Sequence, residues 1–119
     1  MKLSEIIDRG WQLFGAGDFD SLIEDYTDDM TFIMPGQNDV LEGRTAFRTA
    51  LDRVEQILPP GFEVTGLKNT EGENAVVSIV EWKSEKVPKS QLAILFKFKG
   101  TKIYEERWFL DTQQWRDAF

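Results

Sequence analysis

Glu106 is the acidic side chain of this sequence that is best placed to act chemically. It lies within a strand-like segment, between Tyr104 and Trp108 in the alternation of side chains. An apolar setting disfavours a charged carboxylate and raises its pKa, which would make Glu106 a candidate general acid or base. The alternative is a structural glutamate near the mouth of the fold, solvated or paired with a Lys or Arg. The residue types alone leave both interpretations open.

Composition limits the chemistry that can accompany this glutamate. The 119 residues include no histidine and no cysteine. The lack of histidine removes the commonest general base, the Ser-His and Cys-His nucleophile systems and almost every catalytic zinc site. The lack of cysteine removes disulfides and thiolate metal sites. We therefore expect no metal and no cofactor, and any acid–base chemistry must come from Asp, Glu, Tyr or Lys.

Charge and length narrow the class of protein further. A net charge of −7 repels phosphate backbones, so we expect no nucleic-acid partner. No apolar run approaches the roughly 18 residues that span a bilayer, so we expect no membrane partner. Glu5 and Asp8 stand where a signal peptide would be apolar, which predicts a cytoplasmic chain. The length predicts one domain over residues 1–119.

The first part of the chain predicts helices. Apolar residues at steps of three and four predict a first helix over residues 4–16, closed by Gly15 and Gly17. Asp18 is suited to the N-cap of a short second helix, with Tyr26 at its end.

A strand and a third helix follow. Residues 28–29 are typical of a turn, and residues 30–34 predict a strand that Pro35-Gly36 stops. A third helix should follow Gly43 and continue until Pro59-Pro60-Gly61 ends it.

The remainder predicts a meander of strands. They run over residues 62–70, 75–84, 91–99 and 102–111, and the first contains a bulge at Gly66. Three helices followed by antiparallel strands indicate an α+β architecture, in which the helices cover one face of a curved sheet.

The two faces of this sheet differ in composition. In the last three strands the even-numbered side chains are large and aromatic, so we expect them to face the helices. The odd-numbered set is polar at the strand ends and apolar at its centre, and a sheet that is apolar on both faces needs two covers. This outer face is therefore a candidate homodimer interface, or else a weakly apolar exposed surface. Its apolar centre consists of Val77, Ile79, Ala93, Leu95 and Phe109.

The inner face should enclose a pocket for a small hydrophobic molecule. The tyrosine at position 26 could point its hydroxyl into this pocket, or it could be a core residue with a wet tip. Asp111, at the end of the last strand, is expected to cap or to form a turn. The predicted lining residues are Trp11, Phe14, Tyr26, Phe32, Met34, Phe47, Leu51, Trp82, Ile94, Phe96, Tyr104 and Trp108.

Three ordered stretches resemble a known family, the nuclear transport factor 2-like superfamily and especially its SnoaL-like and ketosteroid isomerase-like branch. They are residues 15–30 (GAGDFD, then YTDDM), 41–47 (LEGRTAF) and 96–112 (FKFKGTKI, then RWFLDT). The resemblance implies a cystatin-like cone of three N-terminal helices on a strongly curved, mainly antiparallel sheet, with a central pocket. It also implies dimerisation through the outer sheet face.

The catalytic groups of ketosteroid isomerases do not carry over to this chain. Their Asp base directly precedes the proline that ends the first strand, and this chain has Met34 there. Their oxyanion donors, a Tyr and an Asp, fall at Gly10 and Ile94. The resemblance therefore implies that this isomerase mechanism is absent.

Two other family mechanisms also lack their residues. The Arg and two Asp by which limonene epoxide hydrolase activates water fall near Val80, Trp82 and Trp108. Polyketide cyclases of the family depend on a His and Asp pairing, and there is no His.

Three functions stay open. The first is a SnoaL-like domain that binds a small hydrophobic ligand without the known catalytic residues. The second is a polyketide cyclase- or isomerase-like enzyme that uses Glu106. The third is a non-catalytic dimeric interaction domain with a packed interior; a nuclear-transport-type adaptor would rest on superfamily analogy alone. An open cone with Glu106 in its wall favours the first two, and a filled cone favours the third.

Overall fold

Helices precede most of the sheet in the computed structural model, which describes residues 2–34 and 40–119. The strand predicted over residues 30–34 is part of a longer one, and the Pro35-Gly36 stop lies outside the described residues. The elements are α1 Leu3–Ala16, α2 Phe19–Ile23, β1 Tyr26–Ile33, β2 Val40–Glu42, α3 Arg44–Leu51, α4 Val54–Ile57, β3 Glu63–Gly72, β4 Ala75–Lys83, β5 Ser90–Lys99, β6 Lys102–Leu110 and α5 Thr112–Asp117.

The strands form one mixed sheet in the order β2-β1-β6-β5-β4-β3. Neighbours are antiparallel except β1 and β6, which run parallel. The predicted bulge is confirmed, because the register between β3 and β4 shifts between Val64 and Gly66. The α+β fold with helices on a mainly antiparallel sheet is also confirmed.

Two predicted local signals are confirmed, the glycine at position 17 that ends α1 and the aspartate that begins α2, whereas Gly15 lies inside α1. Gly17 adopts a left-handed φ of 72°, and its N–H bonds back to carbonyls of the last turn of α1. The side chain of Asp18 accepts a hydrogen bond from the N–H of Ser21, which caps α2. On α1, Ile6 and Ile7 are buried and anchor the helix to the inner face of the sheet.

The predictions between α2 and α3 were partly wrong. Tyr26 does not end α2; it is the first residue of β1. Residues 28–29 lie inside this strand, within an irregular stretch where the register against β6 shifts between Tyr26 and Thr31. The pairs that flank the two aspartates, Tyr26 with Ile103 and Thr31 with Glu105, keep this stretch within the strand despite its local turn preference.

The helix predicted after Gly43 is interrupted, and a further helix follows β6. Asp52 and Arg53 separate α3 from α4, and Arg53 has a non-helical φ of −115° and ψ of 30°. The expectation that Asp111 caps is confirmed, since its carboxylate accepts from the N–H groups of Gln113 and Gln114, both at 3.0 Å, at the start of α5.

The alternation of inner and outer side chains holds along β4 and β5. Ser78 and Ile94 are fully buried, whereas Val77 and Ile79 on the outer face are 39% and 40% exposed. On β6 the register against β5 shifts between Lys97 and Phe98, so Ile103 and Tyr104 do not follow the predicted alternation of inner and outer side chains. As a result the inward side chain is Ile103, which is 2% exposed. No helix in the described residues is long and apolar enough to cross a membrane.

Candidate functional site

A cavity of about 90 Å³ lies between the helices and the inner face of the sheet. Its wall is almost entirely apolar, and Glu106, Tyr26 and Asp25 contribute the acidic and phenolic groups. The helices therefore do not fill the whole space above the inner face of the sheet. Four of the lining residues, Met34, Leu41, Ala50 and Ile57, also line a second depression that continues past Arg53 and Gln56.

Most of the side chains predicted to line the pocket lie at the cavity wall. The nine are Trp11, Phe14, Tyr26, Phe32, Met34, Phe47, Leu51, Phe96 and Trp108.

Three predicted lining residues lie elsewhere. Trp82 and Ile94 are 1% and 0% exposed in the packed core, where Phe62 and Trp115 lie against the Trp82 ring at centroid distances of 5.7 and 5.4 Å. Tyr104 is displaced by the bulge in β6, and the ammonium of Lys99 lies 5.0 Å from its ring centroid.

Several lining residues were not predicted. Ile6 and Ile7 belong to the apolar stripe of α1, so the periodicity of that helix was the signal that could have found them. Ile103 replaces Tyr104 at the bulge, which no sequence pattern marks. Trp115 lies on α5, a helix too short to show a clear apolar period.

The carboxylate of Glu106 forms the polar centre of the cavity wall. It is 6% exposed, and both of its oxygens accept hydrogen bonds. The hydroxyl of Tyr26 donates to Oε1, and Nε1 of Trp108 donates to Oε2 at 2.8 Å. Parallel pairing of β1 with β6 makes this contact possible, since Tyr26 is in register with Ile103 and Phe32 with Glu106. Thus two strands that are far apart in sequence assemble the group.

Burial dominates the electrostatics of this group. It raises the pKa of Glu106, because a carboxylate loses hydration, while the hydrogen bonds from Tyr26 and Trp108 act in the opposite direction. Burial, followed by the nearby charge of Glu106, also raises the pKa of Tyr26 well above its ordinary value. The phenol is therefore a hydrogen-bond donor at any ordinary pH.

Asp25, the second acidic residue at the cavity, forms an ion pair with a basic side chain. The guanidinium of Arg9, on α1, donates two hydrogen bonds to the carboxylate of Asp25. Nε donates to Oδ2 at 3.1 Å, and Nη2 donates to Oδ1 at 2.5 Å. The carbonyl of Asp25 also accepts from the N–H of Ile103 at 2.8 Å. This pair ties the segment after α2 to α1 and to β6, and it closes one side of the cavity.

The positions that carry the isomerase groups in relatives are apolar or empty here. Gly10 and Met34 both line the cavity. A Cβ at Gly10 would lie 3.4 Å from Cδ1 of Leu22, so α1 packs closely against α2 at this position. Within residues 2–34 and 40–119 no group of three acidic side chains is arranged to hold a metal ion.

The arrangement can therefore do two things chemically. As a carboxylate, Glu106 can accept a hydrogen bond or a proton from a molecule in the cavity. As a carboxylic acid, it can donate one, and its raised pKa brings the two forms closer in free energy at neutral pH. Tyr26 fixes the carboxyl group through Oε1 in either case.

Comparisons with known proteins agree with the fold. The chain superposes on a cystatin-like protein of unknown function from Xanthomonas campestris with a TM-score of 0.82 at 18% identity, covering 99% of this chain and 97% of the other. Bal32a, from a soil-derived mobile gene cassette, gives 0.81 at 21% identity and coverages of 98% and 95%. A Pseudomonas putida protein assigned provisionally as a polyketide cyclase gives 0.80 at 11% identity and coverages of 100% and 99%.

These identities show the fold alone, and no curated protein sequence matches the chain. The family is shown by sequence, since residues 7–106 match the SnoaL-like domain. That match covers most of the chain, and it confirms the SnoaL-like resemblance drawn from the three ordered stretches: this protein belongs to the SnoaL-like domain family.

Proposed function

We propose that this protein binds a small, largely apolar molecule in the cavity, with Glu106 and Tyr26 contacting its polar end. The observation that carries the proposal is a cavity with an apolar wall that contains the buried carboxyl group of Glu106, which is hydrogen-bonded by Tyr26. Ligand sites in proteins combine such walls with a small number of placed polar groups. A domain that served only to pack or to pair would have no need of a buried carboxylate, since burying one costs free energy.

The cavity volume limits the size of this molecule. An engineered apolar cavity of about 150 Å³ holds one benzene molecule. At about 90 Å³ the present cavity is smaller than that one, so by itself it encloses a short chain or part of a ring. A longer molecule would have to extend past Met34 and Ala50 into the adjoining depression.

Native mass spectrometry of protein purified from its own host tests the proposal directly. We expect a retained small molecule, which Ala50→Phe should expel because the larger ring occupies the cavity. Ala16→Phe introduces the same ring at the exposed end of α1 and should leave the molecule bound. Equal retention by both variants would place the molecule elsewhere.

A second candidate is an enzyme, similar to the polyketide cyclases or isomerases of the family, in which Glu106 transfers a proton. The contact between Tyr26 and Glu106 and the raised pKa of Glu106 favour it. Once a substrate is found, Glu106→Gln should abolish turnover and retain binding. Glu105→Gln on the outer face is the matched control, and unchanged turnover in Glu106→Gln rejects the enzyme.

We also propose that the outer face of the sheet forms a homodimer interface. Val77 and Leu95 are cross-strand partners there, and Ile79 lies in one row with Ala93 and Phe109. Phe109 is 47% exposed. Sedimentation should show a dimer that Phe109→Lys dissociates. Val40→Lys, at a residue 45% exposed on β2, should not dissociate it. A monomeric unmodified protein would refute the interface.

Two further predictions, a non-catalytic interaction domain and a cytoplasmic location, can also be tested. If the protein dimerises but retains no small molecule, the non-catalytic interaction domain becomes the better description. The cytoplasmic location stays a prediction, which cell fractionation can test.

A further inference from the structure

Glu106 is a buried carboxylate that forms no ion pair with a Lys or Arg in the part of the chain that the structure describes. Among the described residues, the ion pairs join other acidic groups to Lys or Arg, and none of them includes Glu106. Asp25, the other acidic residue of the cavity wall, is paired in this way, because Arg9 donates to both of its oxygens. Buried charges in proteins are normally paired, so a site of this kind is incomplete without a proton or a cation.

The carboxylate also has unused acceptor capacity. Each oxygen accepts one hydrogen bond, from Tyr26 or from Trp108. An ionised carboxylate offers about four lone-pair positions, which leaves room for further donors. Because the two protein donors hold the group in place, a ligand that donates to it meets a fixed target.

Aromatic rings line the approach to Glu106. The ring of Tyr26 lies 4.9 Å from that of Phe47, which lies 5.2 Å from Phe32, and Phe32 lies 6.1 Å from Trp108. This arc begins and ends at the two residues that hydrogen-bond Glu106, and all four line the cavity. Faces of aromatic rings attract organic cations, and the attraction grows when the site is dry.

Electrostatics beyond the arc point the same way. Among the described lining residues of this cavity there is no Lys or Arg, and the acidic ones are Asp25 and Glu106. The net charge of −7 raises the local concentration of cations around the molecule and disfavours anions.

We propose that the ligand of this cavity is a primary or secondary amine in its protonated form, attached to an apolar or aromatic body, with the ammonium bound to Glu106. This inference rests on the proposed ligand-binding function and specifies its chemical class. The ammonium supplies the missing positive charge, donates to the free positions of the carboxylate and contacts the aromatic arc.

Four probes of nearly equal shape test the inference, namely benzylamine, benzyl alcohol, toluene and benzoate, titrated calorimetrically at neutral pH. Benzylamine should bind at least about tenfold more tightly than benzyl alcohol, and benzoate should bind most weakly. Glu106→Gln should abolish the preference for the amine and retain binding of benzyl alcohol. Glu105→Gln should keep the preference, because that side chain lies on the outer face.

The outcomes separate the two proposals. If toluene and benzyl alcohol bind as tightly as benzylamine, or if benzoate binds best, the proposal that the ligand is an amine is wrong. The proposal of an apolar ligand site is then retained. If none of the four binds, both proposals fail. The ranking in the unmodified protein decides the matter even if Glu106→Gln does not fold.

Discussion

Glu105 and Glu106 are neighbours on β6 and have opposite surroundings, because successive side chains of a strand point to opposite faces. On the outer face, Oε2 of Glu105 lies 3.3 Å from Nζ of Lys97 and 3.3 Å from Nε of Arg107. On the inner face, Glu106 has a phenol and an indole as partners instead of cations.

The difference separates two ways of keeping an acid on a sheet. Glu105 lies beside two cations that remain partly in water, and such pairs are worth little free energy. Glu106 gives up its water for two neutral donors, and burial raises its pKa. The outer ion pairs link side chains of β5 and β6 at the surface. The inner hydrogen bonds leave Glu106 as a carboxyl group whose charge a bound molecule can change.

The largest effect expected from this comparison concerns two isoleucines. Ile94→Ala on the inner face should lower the free energy of unfolding by about 2–5 kcal/mol, since a fully buried side chain is removed. Ile79→Ala, at a residue 40% exposed on the outer face, should cost about 0.5 kcal/mol at low protein concentration. Urea unfolding measures both, and similar losses would mean that the faces are wrongly assigned.

The two tyrosines of the chain provide the next test. Tyr26→Phe removes a donor to the buried carboxylate and should cost about 1.5–3 kcal/mol at neutral pH. It should also raise the pKa of Glu106, because the hydrogen bond from Tyr26 lowers it. The bulge in β6 displaces Tyr104 from the cavity wall. Tyr104→Phe should therefore change the free energy of unfolding by about 0.5 kcal/mol or less. If Tyr26→Phe leaves the free energy of unfolding unchanged, the contact between Tyr26 and Glu106 is contradicted.

A smaller effect, but one with a definite sign, concerns pH. Since the pKa of Glu106 is raised in the folded state, the folded protein binds more protons than the unfolded chain above the ordinary glutamate pKa. Stability from this group therefore falls as pH rises from that value to the raised one, by up to about 1.4 kcal/mol per pH unit.

Glu106→Gln should lack this fall. The difference in free energy of unfolding between the variant and the unmodified protein should move in favour of the variant as pH rises through the window. Urea unfolding at several pH values measures it. A difference that does not vary with pH would show that Glu106 has no raised pKa.

The smallest effect is expected on the outer face. Glu105→Gln removes the contacts to Lys97 and Arg107 and should cost about 1 kcal/mol or less. Added salt should weaken even this cost, because it screens exposed charges. Unfolding at low and high sodium chloride checks it, and a loss as large as that in Tyr26→Phe would erase the distinction between the two faces.

The sheet could be predicted from the sequence because β4 and β5 alternate cleanly and β3 contains a glycine at its bulge. The segments predicted wrongly are those where tertiary pairing prevails. The two aspartates of β1 favour a turn locally, yet they lie within a strand because the residues that flank them, Tyr26 and Thr31, pair with β6. The bulge in β6 has no glycine or proline to mark it, so Tyr104 was placed on the wrong face.

The site was predictable only in part, for a related reason. Alternation placed Glu106 and Trp108 on the inner face, because both follow the bulge in register with β5. Their contact with Tyr26 depends on the parallel pairing of β1 and β6, which joins residues 80 positions apart. Trp115 was missed because α5 presents a single large apolar residue in six and so shows no period.

The hydrogen bond from Trp108 to Glu106 makes the indole a natural optical reporter. Light absorption moves electron density from the pyrrole ring of an indole towards its benzene ring, so a negative charge beside Nε1 lowers the energy of the emitting state. Emission from Trp108 should consequently lie at longer wavelength when Glu106 is ionised than when it is protonated. Subtracting the spectrum of a Trp108→Phe variant isolates this signal from the other tryptophans, and the protein then displays the charge state of its own cavity without an added dye.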